Sequence, residues 1–431
     1  MARTFYTLLW WLALPWLPLR LWWRGRREAG YRARIGERFG RYRADVPRLS
    51  DDVIWIHAVS LGETRASVPL VERLLRERPA TRLLLTHMTA TGREAGRALY
   101  GDRVVQAWLP YDVPFAIRAF FARFAPRIGL LMETELWPNL AACADAAGIP
   151  LLLVNARLSE RSAAGYARIG ALSRPLFAAL TGVAAQGQDD ATRIAALGAR
   201  DVATIGNLKF DVDVPAAARV GGRTLRAQIG TSRPVWVAGS TRDGEEALLL
   251  DAIAATRALP RDTLTILVPR HPQRFDAVAA LLDARGIVYA RRSTGAALPP
   301  ECAVLLGDSL GEMLVYYTAA DVAFVGGSLL PLGGQNLIES IAAGIPTLIG
   351  PHTFNFAEAS MRAVEAGAAV RVADADDLIE RVGRLLGDAA ARGTMAARAS
   401  AFSAAHRGAA ERLWTWLAPR LPTPLNPPGG G

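Results

Sequence analysis

The stretch IWIHAVSLGE, residues 54–63, decides how the rest of the chain is read. Ile54 to Val59 is an apolar run with His57 inside it, the pattern of a strand. It stops at Ser60, Gly62 and Glu63, the small and acidic residues of a strand-to-helix turn. A strand that feeds a helix is half of a βαβ unit, so the sequence on either side should alternate in the same way.

It does. VIWIHAV, RLLLTHM, IGLLME, PLLLVNA, GVAAQ and VATIGN read as strands separated by amphipathic stretches, and a second series follows from Arg233: PVWVAGS, LTILVPR, VYARR, CAVLLGD, VAFVGGS, PTLIGP and AAVRVAD. The pattern predicts an α/β chain with two Rossmann-like open parallel sheets, an amino-terminal domain over 26–210 and a carboxyl-terminal domain over 233–400. The segment 211–232 has no strong strand signal and carries Pro215, Gly221 and Gly222, so it reads as the linker. Two open sheets joined this way are expected to leave a cleft at the carboxyl ends of their strands, where ligands bind. RGAAERLWTWLAP predicts a last helix within 401–418, able to pack across both domains, and 419–431 reads as a disordered tail, its PTPLNPPGGG end without core-forming residues.

Length and composition agree with two cores: 431 residues at 51% hydrophobic exceed what one core ordinarily supports. Cys143 and Cys302 lie far apart in apolar contexts, which gives neither a disulfide framework nor a metal-ligand spacing. The net charge is +10, and the first 50 residues hold eleven arginines against Glu28, Glu37 and Asp45, so most of the excess is amino-terminal. Arginines beside an apolar segment suit an anionic membrane surface, and nothing resembles a nucleic-acid module. The uncharged run Thr4–Leu19 reaches about 24 Å as a helix, short of a hydrocarbon core of about 30 Å, and it contains Pro15 and Pro18. Three readings stand for residues 1–25: a short membrane anchor, spanning or interfacial; a signal peptide, disfavoured because the arginines follow the apolar run; and a buried first helix. The anchor reading places the arginines and the rest of the chain in the cytoplasm.

The polar residues gather at strand ends. In the second series, Gly239, Ser240 and Thr241 end one strand, Arg270 and His271 another, and Gly311 and Glu312 a third. Gly333 and Gly334 precede a predicted helix, QNLIESIAAG, whose first turn would favour a phosphate and whose Asn336 and Glu339 share a face. Each turn alone is equally an ordinary cap; together they suit a nucleotide-type ligand, a guanidinium meeting phosphate and a carboxylate meeting ribose hydroxyls. In the first series Ser60, Thr86, Thr89, Glu133, Glu135, Asn155 and Arg157 occupy corresponding positions, suited to a polar acceptor or equally to caps and surface charge. No P-loop or opening GxGxxG is present, and the five histidines form no zinc pattern.

HAVSLGE, METELWPN, NARLSERS, GNLKFD, GSTRDGEE, PRHPQRF, GGSLLPLGGQNLIE and GPHTFNF, in this order from about Tyr31 to Phe356, resemble the 3-deoxy-D-manno-octulosonic acid (Kdo) transferases of bacterial lipopolysaccharide synthesis. The resemblance implies a GT-B fold, an amino-terminal acceptor domain and a carboxyl-terminal domain for CMP-Kdo. It implies inverting transfer without metal or cofactor to the tetra-acylated lipid A precursor, at the cytoplasmic face of the inner membrane. By position Glu63 would be the general base, and PRHPQRF, GEM and GGQNLIE would hold the nucleotide. Gln335, where many members have histidine, and Met313, where leucine is common, depart mildly from the pattern. Other classes consistent with the residues are a GT-B transferase using a UDP-sugar and a non-catalytic membrane-peripheral protein.

Overall fold

The computed structural model describes residues 1–26, 28–49 and 52–425, and the chain divides into two compact units: residues 1–209 with 408–431, and residues 210–407.

The first unit carries seven parallel strands: β1 Val53–His57, β2 Arg82–His87, β3 Val105–Trp108, β4 Pro126–Met132, β5 Leu151–Ala156, β6 Gly182–Ala185 and β7 Val202–Thr204. Their order is β3-β2-β1-β4-β5-β6-β7, with Val53 opposite Arg82 and His57 opposite Thr86 across β1 and β2. Every residue of β1 is buried, as strands covered by helices on both faces require. The buried indole of Trp55 satisfies its N–H by donating to Thr86 Oγ1 at 2.7 Å. The strand order reverses between β1 and β4, so the crevice where an open sheet accepts a ligand lies at the ends of these two strands. The segments after them are Ala58–Glu63 and Glu133–Trp137.

The second unit repeats the plan with β8 Val235–Thr241, β9 Leu264–Pro269, β10 Tyr289–Arg291, β11 Val304–Leu306, β12 Val322–Val325, β13 Thr347–Ile349 and β14 Ala369–Arg371, in the order β10-β11-β9-β8-β12-β13-β14. Here Trp236 donates to Thr265 Oγ1 at 2.9 Å, as Trp55 does to Thr86. The reversal falls between β8 and β12, so the crevice lies between Ser240 and the glycine-rich segment from Gly326 to Gly334.

Several expectations change. The segment expected as a linker is a helix, Ala216–Ile229, within the second unit: Gly222 lies so close to the helix Met313–Ala319 that an added Cβ would stand 2.0 Å from Thr318 Oγ1. The glycines serve close helix packing, not chain flexibility. β3 went unread because it is short and interrupted by Gln106. The last helix, Ala409–Leu417, belongs to the first unit, where Leu413 and Leu417 pack with Leu70 and Leu74 and Arg412 Nε donates to Ile205 O at 2.8 Å. The expected tail is held as far as Thr423, since the carbonyls of Pro422 and Thr423 accept from Arg78 and Arg127; its residues 426–431 lie outside the described residues.

The amino-terminal segment forms two helices, α1 Ala2–Ala13 and α2 Leu17–Arg24, broken at Leu14–Trp16 where Pro15 and Pro18 interrupt the ladder. Among the described residues no helix is long and apolar enough to cross a membrane. α1 buries none of its residues fully, whereas α2 buries Leu17 and Leu21 against Tyr31 and Tyr111.

Candidate active site

The turn after β1 is a variant of the capping box in which the acidic side chain takes the N–H one residue before the cap. Ser60 caps the short helix Leu61–Ala66, accepting the Glu63 N–H at 3.4 Å, and the Glu63 carboxylate reaches back to accept from Ser60 Oγ at 2.8 Å and from the Val59 N–H at 2.8 Å. A capping box is normally a helix-start device. Here its carboxylate is only 7% exposed, and burial, with the charge of Glu133 added, lifts it from the usual carboxylate range to about 7. Each carboxylate oxygen spends one lone pair on the cap and retains another, so Glu63 is a fixed carboxylate that can accept a proton near neutral pH.

The Val59 peptide is itself fixed. Its carbonyl accepts from the Met88 N–H, the Thr89 N–H and Thr89 Oγ1 at 3.2, 3.1 and 3.0 Å. Thr89 also caps the helix Ala90–Tyr100 through the Gly92 N–H, and Gly92 lies so close that an added Cβ would be 3.1 Å from Val59 O. Thr86 is fully buried and spends its hydroxyl on Trp55 and His57. Thr86, expected at an acceptor surface, is buried and holds the strand ends in place, while Thr89, expected there too and half-buried, fixes the Val59 carbonyl and caps its helix.

Across the crevice, Glu133 follows β4 with a backbone φ of +58°, a left-handed conformation a non-glycine residue adopts at a cost. Its carboxylate pairs with Lys209, a residue that sequence reasoning left out although it stands within the quoted GNLKFD. Glu135 accepts from the Trp137 indole at 3.1 Å, and burial raises its carboxyl above the usual range. Asn155, also left-handed at +51°, is fully buried, its Oδ1 accepting from the Leu208 N–H at 2.9 Å. It therefore positions the Leu208–Lys209 segment and does not line a surface. Arg157 lines a cavity of about 280 Å³ with Glu133, Thr134, Ser159, Ser162 and Tyr166. Charge of both signs, hydroxyls and an aromatic ring around a small open cavity suit a polyhydroxylated, anionic ligand.

In the second unit Ser240, next to last in β8, has a φ of +56°. Thr241 is fully buried and donates to Glu246 Oε1 at 2.7 Å, so it holds a loop. The neighbouring Glu245 is equally buried and collects the backbone N–H groups of Arg242, Gly327, Ser328 and Leu329, which pins the glycine-rich segment after β12 to β8. Gly333 and Gly334 both have positive φ, +92° and +76°. The helix expected from Gln335 begins only at Ile338 and ends at Ala342, because Asn336 Oδ1 takes the Ile338 N–H at 3.2 Å and turns the chain there. The phosphate expected at that helix start thus loses its main support.

Asn336 Nδ2 donates to Glu339 Oε1 at 3.1 Å, and burial raises the Glu339 carboxyl while Arg270 acts in the opposite sense. Gly239 leaves room for Tyr317, whose Oη would be 2.6 Å from an added Cβ. Arg270 and His271 are exposed, and His271 is held below the usual imidazole range by the slight desolvation it meets and by the charges of Arg242, Arg270 and Arg274. Arg274 is occupied by Glu246, but a cationic rim remains at the ends of β8 and β9. Gly311 is exposed; Glu312 forms a two-point ion pair with Arg292 at 3.0 and 2.9 Å and anchors the start of the helix Met313–Ala319. Gly239, Ser240, Gly333, Gly334, Asn336, Glu339 and Arg270 stand at the strand ends that border the crevice, whereas Thr241 is buried in its bond to Glu246.

Residues 33–212 match the family described as 3-Deoxy-D-manno-octulosonic-acid transferase (kdotransferase). The chain is 49% identical to the 3-deoxy-D-manno-octulosonic acid transferase of Bordetella pertussis, over 97% of this chain and 100% of that protein. It is 37% identical to the protein of the same name from Haemophilus influenzae, over 98% of this chain and 99% of that protein. Among solved structures it is similar to Acinetobacter baumannii MurG with a TM-score of 0.53, over 86% of this chain and 100% of that one; at 12% identity the likeness is one of fold.

Proposed function

The chain belongs to the Kdo transferase family of lipopolysaccharide biosynthesis and has the GT-B fold, and we propose that it moves Kdo from CMP-Kdo to the tetra-acylated lipid A precursor by inverting, metal-independent transfer. The observation that carries this reading is Glu63: a single carboxylate, fixed by two hydrogen bonds at the strand reversal of the first unit, with its proton affinity raised to near neutral. In the reaction Glu63 takes the proton of the acceptor hydroxyl as that oxygen bonds to the anomeric carbon of Kdo. The bond from that carbon to the CMP phosphate breaks on the opposite face, and the electron pair leaves with CMP. Arg270 and Arg242 are suited to the phosphate, and Glu339, oriented by Asn336, to the ribose hydroxyls. Glu133, Lys209, Arg157 and the cavity beside them suit the acceptor side.

The reading includes the cytoplasmic face of the bacterial inner membrane as the place of reaction. Phe5, Leu8, Leu9, Trp11 and Leu12 on α1, Trp16 in the break, and Leu19, Trp22 and Trp23 on α2 are exposed, beside Arg20, Arg24 and Arg26. Such a face enters a headgroup boundary, and its cations meet anionic lipid.

The test is mass spectrometry of the product formed from purified protein, CMP-Kdo and lipid A precursor with a chelator present, beside thermal protection by CMP and UDP. A Kdo-extended lipid and protection by CMP alone are expected. Protection by UDP instead would point to a UDP-sugar donor, and no product with an intact fold would point to a non-catalytic protein.

A further inference from the structure

The amino-terminal segment of such an enzyme needs only to reach a membrane, yet here it does more than present an apolar face. Leu17 and Leu21 of α2 turn inward and pack with Tyr31 and Tyr111, and Met88 and Ala90 pack against the same cluster. Gly30 lies so close to Ala90 that an added Cβ would stand 2.8 Å from Ala90 Cβ. Just beyond lies Arg38, 1% exposed, a charge whose burial demands compensation. Its guanidinium lies 3.9 Å from the centre of the Trp108 ring and donates to Met88 O at 3.1 Å, while its own carbonyl accepts from the Tyr111 N–H at 2.9 Å. Glu37, equally buried, ties the cluster to the helix that Thr89 caps: it accepts from the Trp108 N–H at 2.9 Å and pairs with Arg34 and with Arg93 of that helix.

These contacts converge on the turn that fixes the Val59 peptide. Arg38 holds the Met88 carbonyl; the Met88 and Thr89 amides hold the Val59 carbonyl; the Val59 amide holds Glu63 Oε2. We propose that α2 and Arg38 form a brace for Glu63, in which Leu17, Leu21 and Arg38 act as positioning residues that set the carboxylate through the Met88–Thr89 turn and the Val59 backbone. The inference rests on the reading of Glu63 as general base. It makes the membrane segment part of the catalytic architecture, so that a protein whose α2 is undocked is impaired even where no membrane is needed.

The physical consequence has a sign. A loosened Val59 turn acts on Glu63 in two opposed ways: it weakens the Val59 N–H bond that lowers the proton affinity, and it lets water reach the carboxylate and partly lifts burial, the larger effect, so the net shift is downward. The other charged groups facing Glu63 are Glu133 and Glu135 after β4, with Lys209 beside Glu133. His87, next to Thr64, is buried and held neutral well below pH 6. α2 packs with Tyr31 and Tyr111 against Met88 and Ala90, so a change in the titration of Glu63 on altering α2 is read as passing through the Met88–Thr89 turn.

The experiment compares the whole protein with Leu21→Ala and Arg38→Lys, using acceptor dispersed in detergent so that attachment to a bilayer plays no part. Arg38→Lys keeps the charge and gives up the planar contact with Trp108 and the reach to Met88 O. Expected in both is a fall in kcat of on the order of tenfold with donor KM within twofold of the parent, and an acid limb of the pH–kcat profile displaced to lower pH. If Arg38→Lys does not fold, Leu21→Ala, which removes part of one apolar contact, carries the test alone. A kcat within twofold of the parent and an unmoved limb overturn the brace. So does a rate loss with the limb unmoved and CMP protection reduced in proportion, which is general destabilisation. Glu63→Gln in the same assay separates the two ideas. Near-normal turnover in it ends the general-base reading itself, whereas an inactive Glu63→Gln beside undisturbed brace variants ends only the brace.

Discussion

Replacing Glu63 by Gln separates a catalytic carboxylate from a helix cap because the two roles predict opposite dependences on pH. Gln is an acceptable capping-box residue: its amide oxygen can take the Val59 N–H, and its size is unchanged. What it lacks is a proton-accepting form, so kcat should fall by about 10²–10⁴-fold while affinities for donor and acceptor hold. The parent should lose rate below about pH 7, where Glu63 takes up its proton. Stability adds a second sign. A carboxyl raised from 4.5 to about 7 binds its proton more tightly folded than unfolded, so its contribution to stability falls as pH rises between those values. At about 1.4 kcal/mol per pH unit the ceiling on that loss is about 3 kcal/mol. Glu63→Gln has no such loss, so relative to the parent it should gain stability between pH 5 and pH 8. A carboxylate serving only the helix start would behave oppositely, since its ionised form favours the amino-terminal end and the parent would gain with rising pH. Single-turnover transfer and thermal unfolding of both proteins at pH 5 and pH 8 decide. Near-normal turnover, or a parent that gains relative stability toward pH 8, would refute the reasoning.

Three further outcomes follow from the geometry. Glu339→Ala, which removes the carboxylate oriented by Asn336, should raise donor KM at least tenfold and leave acceptor KM unchanged, as steady-state titration of each substrate will report. Gly222→Ala should destabilise the second unit by about 1–3 kcal/mol, because its Cβ would stand 2.0 Å from Thr318 Oγ1; chemical denaturation measures it, and an unchanged midpoint would mean that the two helices part without cost. Leu8→Ser with Leu12→Ser should weaken sedimentation with anionic vesicles and leave the melting temperature unchanged, since both side chains are exposed; the residual binding should be removed by salt.

What could be read from the sequence, and what could not, follows the range of the interactions involved. Buried parallel strands are nearly continuous apolar runs, so β1, β4, β9 and β12 announce themselves, and with them the ends where ligand chemistry gathers. Glu63 was legible because a capping box is local, four residues from Ser60 to Glu63. The helix Ala216–Ile229 was not, because its Gly221 and Gly222 look like breakers until Val315 and Thr318 are seen against them. Nor were Lys209, whose partner Glu133 comes from a different strand end, or the return of Ala409–Leu417 to the first unit. The left-handed residues Glu133, Asn155 and Ser240 carry no sequence mark either; their strain is visible only as an angle.

The question posed by a carboxylate at the end of β1 is sharpened by the structure, since Glu63 is both a cap and the proposed base. A free glutamate at the mouth of a sheet would be hydrated, ionised well below pH 7 and mobile over several rotamers, a poor acceptor for a sugar hydroxyl proton. Burial alone would raise its proton affinity, but would leave its direction unset. The capping box sets direction at little further cost, because the Val59 N–H and Ser60 hydroxyl each use one lone pair and would otherwise need partners themselves. Those bonds pull the proton affinity down, and burial with Glu133 pulls it up; the balance near 7 is the balance a base working at neutral pH requires. Removing Ser60 Oγ would therefore do two things at once, raising the proton affinity and loosening the carboxylate. Ser60→Ala should move the acid limb of the rate upward while lowering kcat, and a limb that stays fixed or moves down would show that the hydroxyl does not hold Glu63 in the working enzyme.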